Sequence, residues 1–266
     1  MKSLDQMTAD DLRQARILLT DIDDTMTSEG QLEAEAYVAL HRLKAAGFAV
    51  IPVTGRPAGW CDHIARMWPV DGVIGENGAF YFVYDRARKK MRQTFWTDDV
   101  SMRQNRARLD ALGVDILTSV PGCALASDQP YRLADLAVDF CEDVPALPEA
   151  DIERIVAKFE ELGAVAKVSS IHVNGWFGNY DKLTMARRFL TNEYGLDPAA
   201  SNAAVIYAGD SPNDAPMFGA FPLSVGVANV KDMLHRIEHH PAYVTHGHSG
   251  KGFAELAEHI LAARQN

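Results

Sequence analysis

The sequence predicts an α/β protein in which a parallel sheet, covered by helices on both faces, is interrupted by a separate inserted α+β module. Three observations carry this reading. From Ala15 onward, near-continuous Val/Ile/Leu runs alternate with stretches of helical period, the pattern of strands buried on both faces. From Phe80 the rhythm changes to a mixture of hairpin and helix, and from Asp181 the alternation resumes. The 266 residues are enough for one large domain or two modest ones, each with its own core.

In order, ARILLTDID reads as a strand running into a loop, and QLEAEAYVALHRLKAAG as an amphipathic helix stopped by Gly47. FAVIPVTG is a strand, CDHIARMW a helix, and DGVIGENG a strand and turn. In the insert, FYFVYDRARKKMRQTFW reads as a hairpin, SMRQNRARLDALG as a helix and YRLADLAVDF as a strand. PEADIERIVAKFEELG follows as a helix, and AVAKVSSIHVNGWF as one long strand or a pair. DKLTMARRFLTNEYG (helix), AAVIYAGD (strand), a short helix after Pro212, FPLSVGV (strand), a helix near KDMLHRI and a closing helix at GFAELAEHILAARQ complete the chain. The expected division is therefore a discontinuous core, 1–83 and 180–266, with the insert at 84–179.

Composition excludes several classes. With 26 Lys+Arg against 36 Asp+Glu the formal charge is −10, which works against binding to nucleic acid or to an anionic membrane. Three cysteines without CxxC pairing suggest neither a disulfide framework nor a zinc site. The N-terminal MKSLDQMTADDLRQ is polar where a secretory signal needs an apolar run, and no apolar stretch of about 18 residues occurs. A cytoplasmic protein, a monomer or homodimer, is expected. The exception to the acidic balance is residues 86–108, where eight Lys and Arg against two Asp give +6. That run reads as a solvated hairpin and helix face, or as a surface that attracts an anion.

The chemistry-bearing residues recur where apolar runs end, which in a parallel sheet is where ligands bind. In LLTDIDDT, Asp21 and Asp23 close the first strand with Asp24 adjacent; carboxylates this close repel unless they share a cation or a proton. An EF-hand is excluded, because its glycine and bidentate Glu positions hold Met26 and Leu32. IPVTGRP supplies the Thr54 hydroxyl and exposed N–H groups at Gly55, suited to a phosphate oxygen. Lys182 opens a helix, where an ammonium opposes the dipole and needs a reason. Asp210, Asn213 and Asp214 form a second acidic cluster suited to an oxygen-only Mg²⁺ site.

Taken together, DxD, Thr, Lys and GDxxND in that order resemble the four motifs of the haloacid dehalogenase-like hydrolase superfamily. IGENGAF, the GVAN of 226–229, and YVT followed by GHSGKG are similar to its Cof-type, sugar-phosphatase branch, which carries a large α/β cap between the second and third motifs. The resemblance implies a Rossmann-like core with an inserted α+β cap. It implies Asp21 as nucleophile forming an aspartyl-phosphate, and Asp23 as general acid/base. Mg²⁺ would be held by the Asp21 carboxylate, the Asp23 carbonyl and Asp210, with Asp214 orienting metal waters and Lys182. Thr54, Gly55 and Lys182 would stabilise the transferring phosphoryl group, and Asn213 would contact phosphate or a metal-bound water. The tail of the cap before the lysine, SSIHVNGWFGNY, would face the site, making His172, Asn174 and Trp176 candidates for recognising a sugar, with core packing the alternative for Trp176. Arg56 is a further candidate for ligand contact or a surface ion pair, and Arg132 a weaker one.

Two positions depart from the family pattern, Asp24 in place of a common glycine and Leu183 after the lysine in place of another. The function implied is Mg²⁺-dependent hydrolysis of a small phosphorylated metabolite, a sugar phosphate first. The alternatives are a phosphatase for mannosyl-3-phosphoglycerate, sucrose phosphate or trehalose phosphate, and a phosphohexomutase. A receiver domain of two-component signalling also gathers acids, Thr and Lys around Mg²⁺, but without an insert and with its phosphorylated Asp on a later strand. HGHSGKG lacks phosphate-loop spacing, and His239, His240, His246 and His248 read as surface.

Overall fold

A computed structural model describes residues 1–169, 171–197 and 202–264. The chain begins with a short strand β1 (Lys2–Ser3) and one-turn helix α1 (Ala9–Leu12), then β2 (Ile17–Thr20), α2 (Ala34–Ala45), β3 (Ala49–Pro52) and α3 (Ala58–Met67). β4 (Val73–Gly75), β5 (Phe80–Asp85) and β6 (Lys90–Phe95) follow. Next come α4 (Asp99–Ser119), β7 (Ala124–Leu125), β8 (Leu136–Asp139), α5 (Glu149–Glu161), β9 (Val165–Val168) and β10 (His172–Trp176). The chain ends with α6 (Lys182–Tyr194), β11 (Val205–Gly209), α7 (Ala215–Ala220), β12 (Leu223–Gly226), β13 (Tyr243–Val244) and α8 (Ser249–Ala262).

The fold class is α/β. Six strands in the order β1-β13-β12-β11-β2-β3 pair in parallel throughout. Successive residues of β2 bury on opposite faces: Leu18 joins the core beneath α2, α3 and α8, and Ile17 and Leu19 join the core beneath α6 and α7. Both faces being dry is why this strand reads as a continuous apolar run. A second sheet, β7-β8-β10-β9, is antiparallel and packs Leu136, Val138 and Val173 against Leu109 and Ile116 of α4 and Ile155 and Phe159 of α5. A third, β4-β5-β6, is an antiparallel flank of the main sheet, bridged to it at Val53 and Ile74.

Several expectations need correction. The boundary at 83/84 cuts β5 in the middle, while Phe80 and Phe82 belong to the main core and stack on one another. We propose instead a division between β6 and α4, which keeps the hairpin whole. The helix expected to stop at Gly113 continues to Ser119, because its next apolar turn, Ile116, is buried on the second sheet. AVAKVSSIHVNGWF takes the second of its two expected forms, a strand pair turned at Ser169, with Ser170 outside the described residues. The segment near KDMLHRI is a 3₁₀ helix, Ala228–Arg236. β1 and β13, two residues each, are too short to leave a periodic signal. No helix among the described residues is long and apolar enough to cross a membrane.

Candidate active site

β11, β2 and β3 lie side by side in parallel, so the loops leaving them open at one sheet edge. That geometry brings together residues separated by up to about 190 positions. Asp21 follows β2, Thr54 and Gly55 follow β3, and Asp210 follows β11. Helix α6 is capped by Asp181, whose carboxylate accepts from Thr184 N at 2.7 Å, and it delivers Lys182 in its first turn. The dipole opposes a cation there. The reason it is tolerated is visible: Lys182 Nζ lies 2.9 Å from Asp21 Oδ2 and 2.7 Å from Asp214 Oδ1, all three side chains buried. These two carboxylates hold its ammonium above the ordinary lysine range against the opposing effect of burial.

Asp214 is saturated. It accepts from Tyr207 OH and Lys182 Nζ on one oxygen, and from Asp210 N (2.9 Å) and Ser211 N (3.1 Å) on the other. Gly209 precedes this turn because a Cβ there would sit 2.5 Å from Asp214 Oδ2. Asp210 is oriented by Thr25 Oγ1 (2.9 Å) and by Asn229 Nδ2 (3.2 Å). Asn229 also donates to Asp24 O and accepts from Ser249 N, so the GVAN segment ties the start of α8 to the acidic cluster. Asp24 has φ 54°, a left-handed conformation. That is why a glycine suits this position, and why Asp is among the few other residues that take it readily.

One carboxylate oxygen from each of Asp21, Asp210 and Asp214 lies within 4.8 Å of the others, and all three residues are buried. Burial, reinforced by Asp214 and Asp23, pushes the Asp21 carboxyl up to about 7 against the pull of Lys182; burial, with Asp214 and Asp21 as neighbours, raises Asp210 as well. Three buried carboxylates facing one ammonium leave uncompensated negative charge. An oxygen-rich pocket with that deficit fits a hard divalent cation, held by Asp21 and Asp210, with Asp214 already committed to Lys182.

Asp23 points the other way. Arg56 grips it through Nε, at 3.0 and 3.1 Å from its two oxygens, and through a terminal nitrogen at 2.9 Å from Oδ1. Arg56 is 5% exposed, so it is not a surface ion pair. Its guanidinium also meets Glu142 Oε1 at 3.2 Å, lies 3.6 Å from Asp128 and stacks 4.5 Å from the centre of the Trp60 ring. Thr54 is fully buried and its Oγ1 accepts from Arg56 N at 3.0 Å, and among the described residues its hydroxyl proton has no acceptor, so it can serve a ligand. Asn213 is positioned by Ser211 Oγ at 2.7 Å.

The insert closes over this edge. Asp21, Asp23, Gly55, Arg56, Arg132, His172, Asn174 and Asn213 border one shared cavity of only about 20 Å³, room for roughly one water. Of the three candidates from the cap, His172 and Asn174 border it. Trp176 does not: it is fully buried, its indole Nε1 donates to Tyr180 O at 3.1 Å, and it stacks on the Tyr180 ring. No residue of the basic 86–108 run borders the cavity; Arg86, Arg92 and Arg108 are engaged by Arg66 O, Glu193 and Leu162 O. Nor do His239, His240, His246 or His248, and His246 pairs with Glu255.

Residues that sequence reasoning read as a family signature or as substrate contacts hold insert and core together. Glu76, fully buried at φ 44°, accepts from Ala58 N (3.0 Å) on the core and from Leu133 N (2.9 Å), Ala134 N (2.6 Å) and Asp135 N (3.1 Å) on the insert. Beside it Arg132 bonds Asp128, Asp135 and the Gly55 carbonyl, and Asn174 bonds Asp135. Asn77, also left-handed, has its Nδ2 buried without a hydrogen-bond partner among the described residues and packs against Gly55. Gly78, at φ 107°, is required because a Cβ would meet Asp181 O at 2.1 Å. IGENGAF marked this turn, but nothing local in the sequence says what it grips.

Glu142 bridges Arg56 and His172, whose Nε2 lies 2.8 Å from Glu142 Oε2. The His172 contact first, and then Arg56, hold the Glu142 carboxyl down at about 2. Because the folded pKa lies below the unfolded value of about 4.3, this stabilisation is complete above that pH and disappears as pH falls toward 2. Wild type is expected to melt above Glu142→Gln by about 1 kcal/mol of stability near pH 6, after solvent screening, and the gap should narrow below about pH 4 and close as pH reaches about 2. Calorimetric melts of both proteins across that range check it.

Residues 18–101 match the haloacid dehalogenase-like hydrolase family. A phosphoglycolate phosphatase of Pyrobaculum neutrophilum is 28% identical over 251 residues, covering 93% of this chain and 96% of that protein. Among solved structures, Thermoplasma acidophilum 0175 superposes with a TM-score of 0.71 at 17% identity, covering 93% of this chain and 99% of its own. The sucrose-phosphatase of Synechocystis, solved with sucrose and phosphate, gives 0.63 at 16% identity, covering 93% and 98%. At these identities the structural likenesses establish the fold.

Proposed function

We propose, from its matched segment, its ordered motif residues and its whole-length fold, that the chain is a haloacid dehalogenase-like hydrolase and a phosphatase that cleaves a small phosphomonoester through a phosphorylated Asp21. The observation that carries this is the pairing of two differently treated carboxylates at one sheet edge. Asp21 is buried against Lys182, and Asp23, two residues on, is held apart from it by Arg56.

The proposed roles follow from those contacts. Asp21 attacks phosphorus and the bond to the leaving oxygen breaks, with the Asp23 carboxyl giving that oxygen its proton. Asp23 then takes a proton from water, whose oxygen attacks phosphorus, and Asp21 is released as a carboxylate with inorganic phosphate. Thr54, whose hydroxyl proton has no acceptor among the described residues, would donate to a phosphoryl oxygen with the N–H groups of the Gly55 turn, and the unpaired Asn77 amide would add a donor. Lys182 would neutralise charge on both Asp21 and the phosphoryl group. A magnesium ion held by Asp21 and Asp210, with the Asp23 carbonyl, would supply further charge neutralisation when bound. The insert, through His172, Asn174 and Glu142, would cover the phosphoryl group and exclude water from it.

The relatives suggest where to look for the substrate: one is named a phosphoglycolate phosphatase and one was solved with sucrose and phosphate. A phosphate-release screen over phosphoglycolate, hexose phosphates and disaccharide phosphates is expected to give turnover that a chelator abolishes and Mg²⁺ restores. Release unaffected by the chelator would refute the metal assignment. Transfer of phosphate from the one to the six position of a hexose, without release, would refute hydrolysis.

A further inference from the structure

Next to the closed cavity lies a second space, an open groove of about 410 Å³ between the loop after β2 and helix α3. Its walls are largely apolar and aromatic: Ile22 and Leu32 on one side, Trp60, Ile64 and Trp68 on the other, with His63 at the edge. Asp23 borders both spaces. The groove falls within the size range of small-molecule sites and has their character, an apolar lining with few polar groups. The cavity beside it, at about 20 Å³, does not.

Resting on the phosphatase reading, we propose that this groove holds the leaving group of the substrate, and that the leaving group carries a ring with an apolar face. Three observations select that occupant. The residue shared by the two spaces is the one placed to protonate the leaving oxygen, so a group lying against Asp23 on the groove side is attached to that oxygen. With the insert closed, the catalytic cavity has no room for anything of ring size. Trp60 is 42% exposed toward solvent yet is stacked on Arg56, the residue that grips Asp23, so a ring seated against this indole is linked to the acid through Trp60 and Arg56. Specificity is then shared between the insert, which covers the phosphate, and the core, which reads the ring.

The test uses the full chain with Leu32→Trp, which fills the groove, and Trp60→Leu, which removes its flat wall. Binding is read with phenylphosphonate against methylphosphonate, neither of which can be hydrolysed, by calorimetry. Turnover is read with para-nitrophenyl phosphate and glucose 6-phosphate against phosphoglycolate. In Leu32→Trp, phenylphosphonate affinity is expected to fall, and KM for the ring-bearing phosphates to rise, by about tenfold or more, with methylphosphonate and phosphoglycolate within about twofold of wild type. Trp60→Leu then separates the sources: loss for para-nitrophenyl phosphate alone assigns an aromatic ring, and loss for both assigns a ring with any apolar face, a pyranose included. Equal changes for ring-bearing and ringless compounds, or none in Leu32→Trp, overturn the groove assignment. Absence of any turnover by wild type refutes the phosphatase reading and leaves the phosphonate comparison to decide the groove.

Discussion

Replacing Asp21 by asparagine is expected to lower kcat by about 10⁴-fold or more while leaving the fold intact. The amide has the size and shape of the carboxylate, so the contact with Ile22 N at 2.8 Å survives on its oxygen, and Lys182 keeps Asp214 at 2.7 Å. What disappears is the attacking charge. The substitution also removes a buried carboxylate that Asp214 and Asp23 repel, so the melting temperature should stay level or rise. Steady-state phosphate release and calorimetry on the same preparation separate the two effects. Retained turnover would contradict the nucleophile assignment, and loss of turnover with loss of fold would point to a structural role.

The second large effect falls on stability. Glu76→Ala is expected to destabilise the protein by about 3–5 kcal/mol, a fall in melting temperature on the order of 10 °C, because four backbone N–H groups and the Arg132 cluster lose their shared anion in a dry setting. Glu76 and Asn77 both hold left-handed backbone, a strain of about 1–3 kcal/mol each that persists only because those contacts over-determine it. Once Glu76 is gone, nothing offsets the strain. Residues 132–135 should gain hydrogen exchange before the rest of the chain, since three of the four donors lie there or beside it. A substitution that left melting and exchange unchanged would show that insert and core are held by other contacts.

How much of this was legible in the sequence depends on the range of each cause. Asp21, Thr54 and Asp210 were legible because parallel strands end where ligands bind, and the chemistry demands those residue types at those ends; Lys182 was legible because an ammonium opening a helix opposes the dipole. The stretch holding His172, Asn174 and Trp176 was legible only through the family resemblance, which places the tail of the cap toward the site. Depth along that stretch was not: His172 and Asn174 reach the cavity, whereas Trp176 lies two residues further on, beneath Tyr180. Arg56 read as either a ligand contact or a surface ion pair because its partners, Asp23 and Glu142, are 33 and 86 residues away. Glu76 read only as part of a signature for the same reason: three of its four donors are 57 to 59 residues distant. Local pattern predicts elements and strand-end chemistry, and the closure of one unit on another appears only once the chain is folded.

The central claim is that phosphate leaves the substrate by way of Asp21. Acid quenching during the first turnover, followed by peptide mass mapping, tests it most directly. The expected result is one phosphoryl group on the peptide carrying Asp21, gained within the first turnover, lost on completion and absent from Asp21→Asn. Full-rate release of phosphate with no labelled peptide at any time would contradict it.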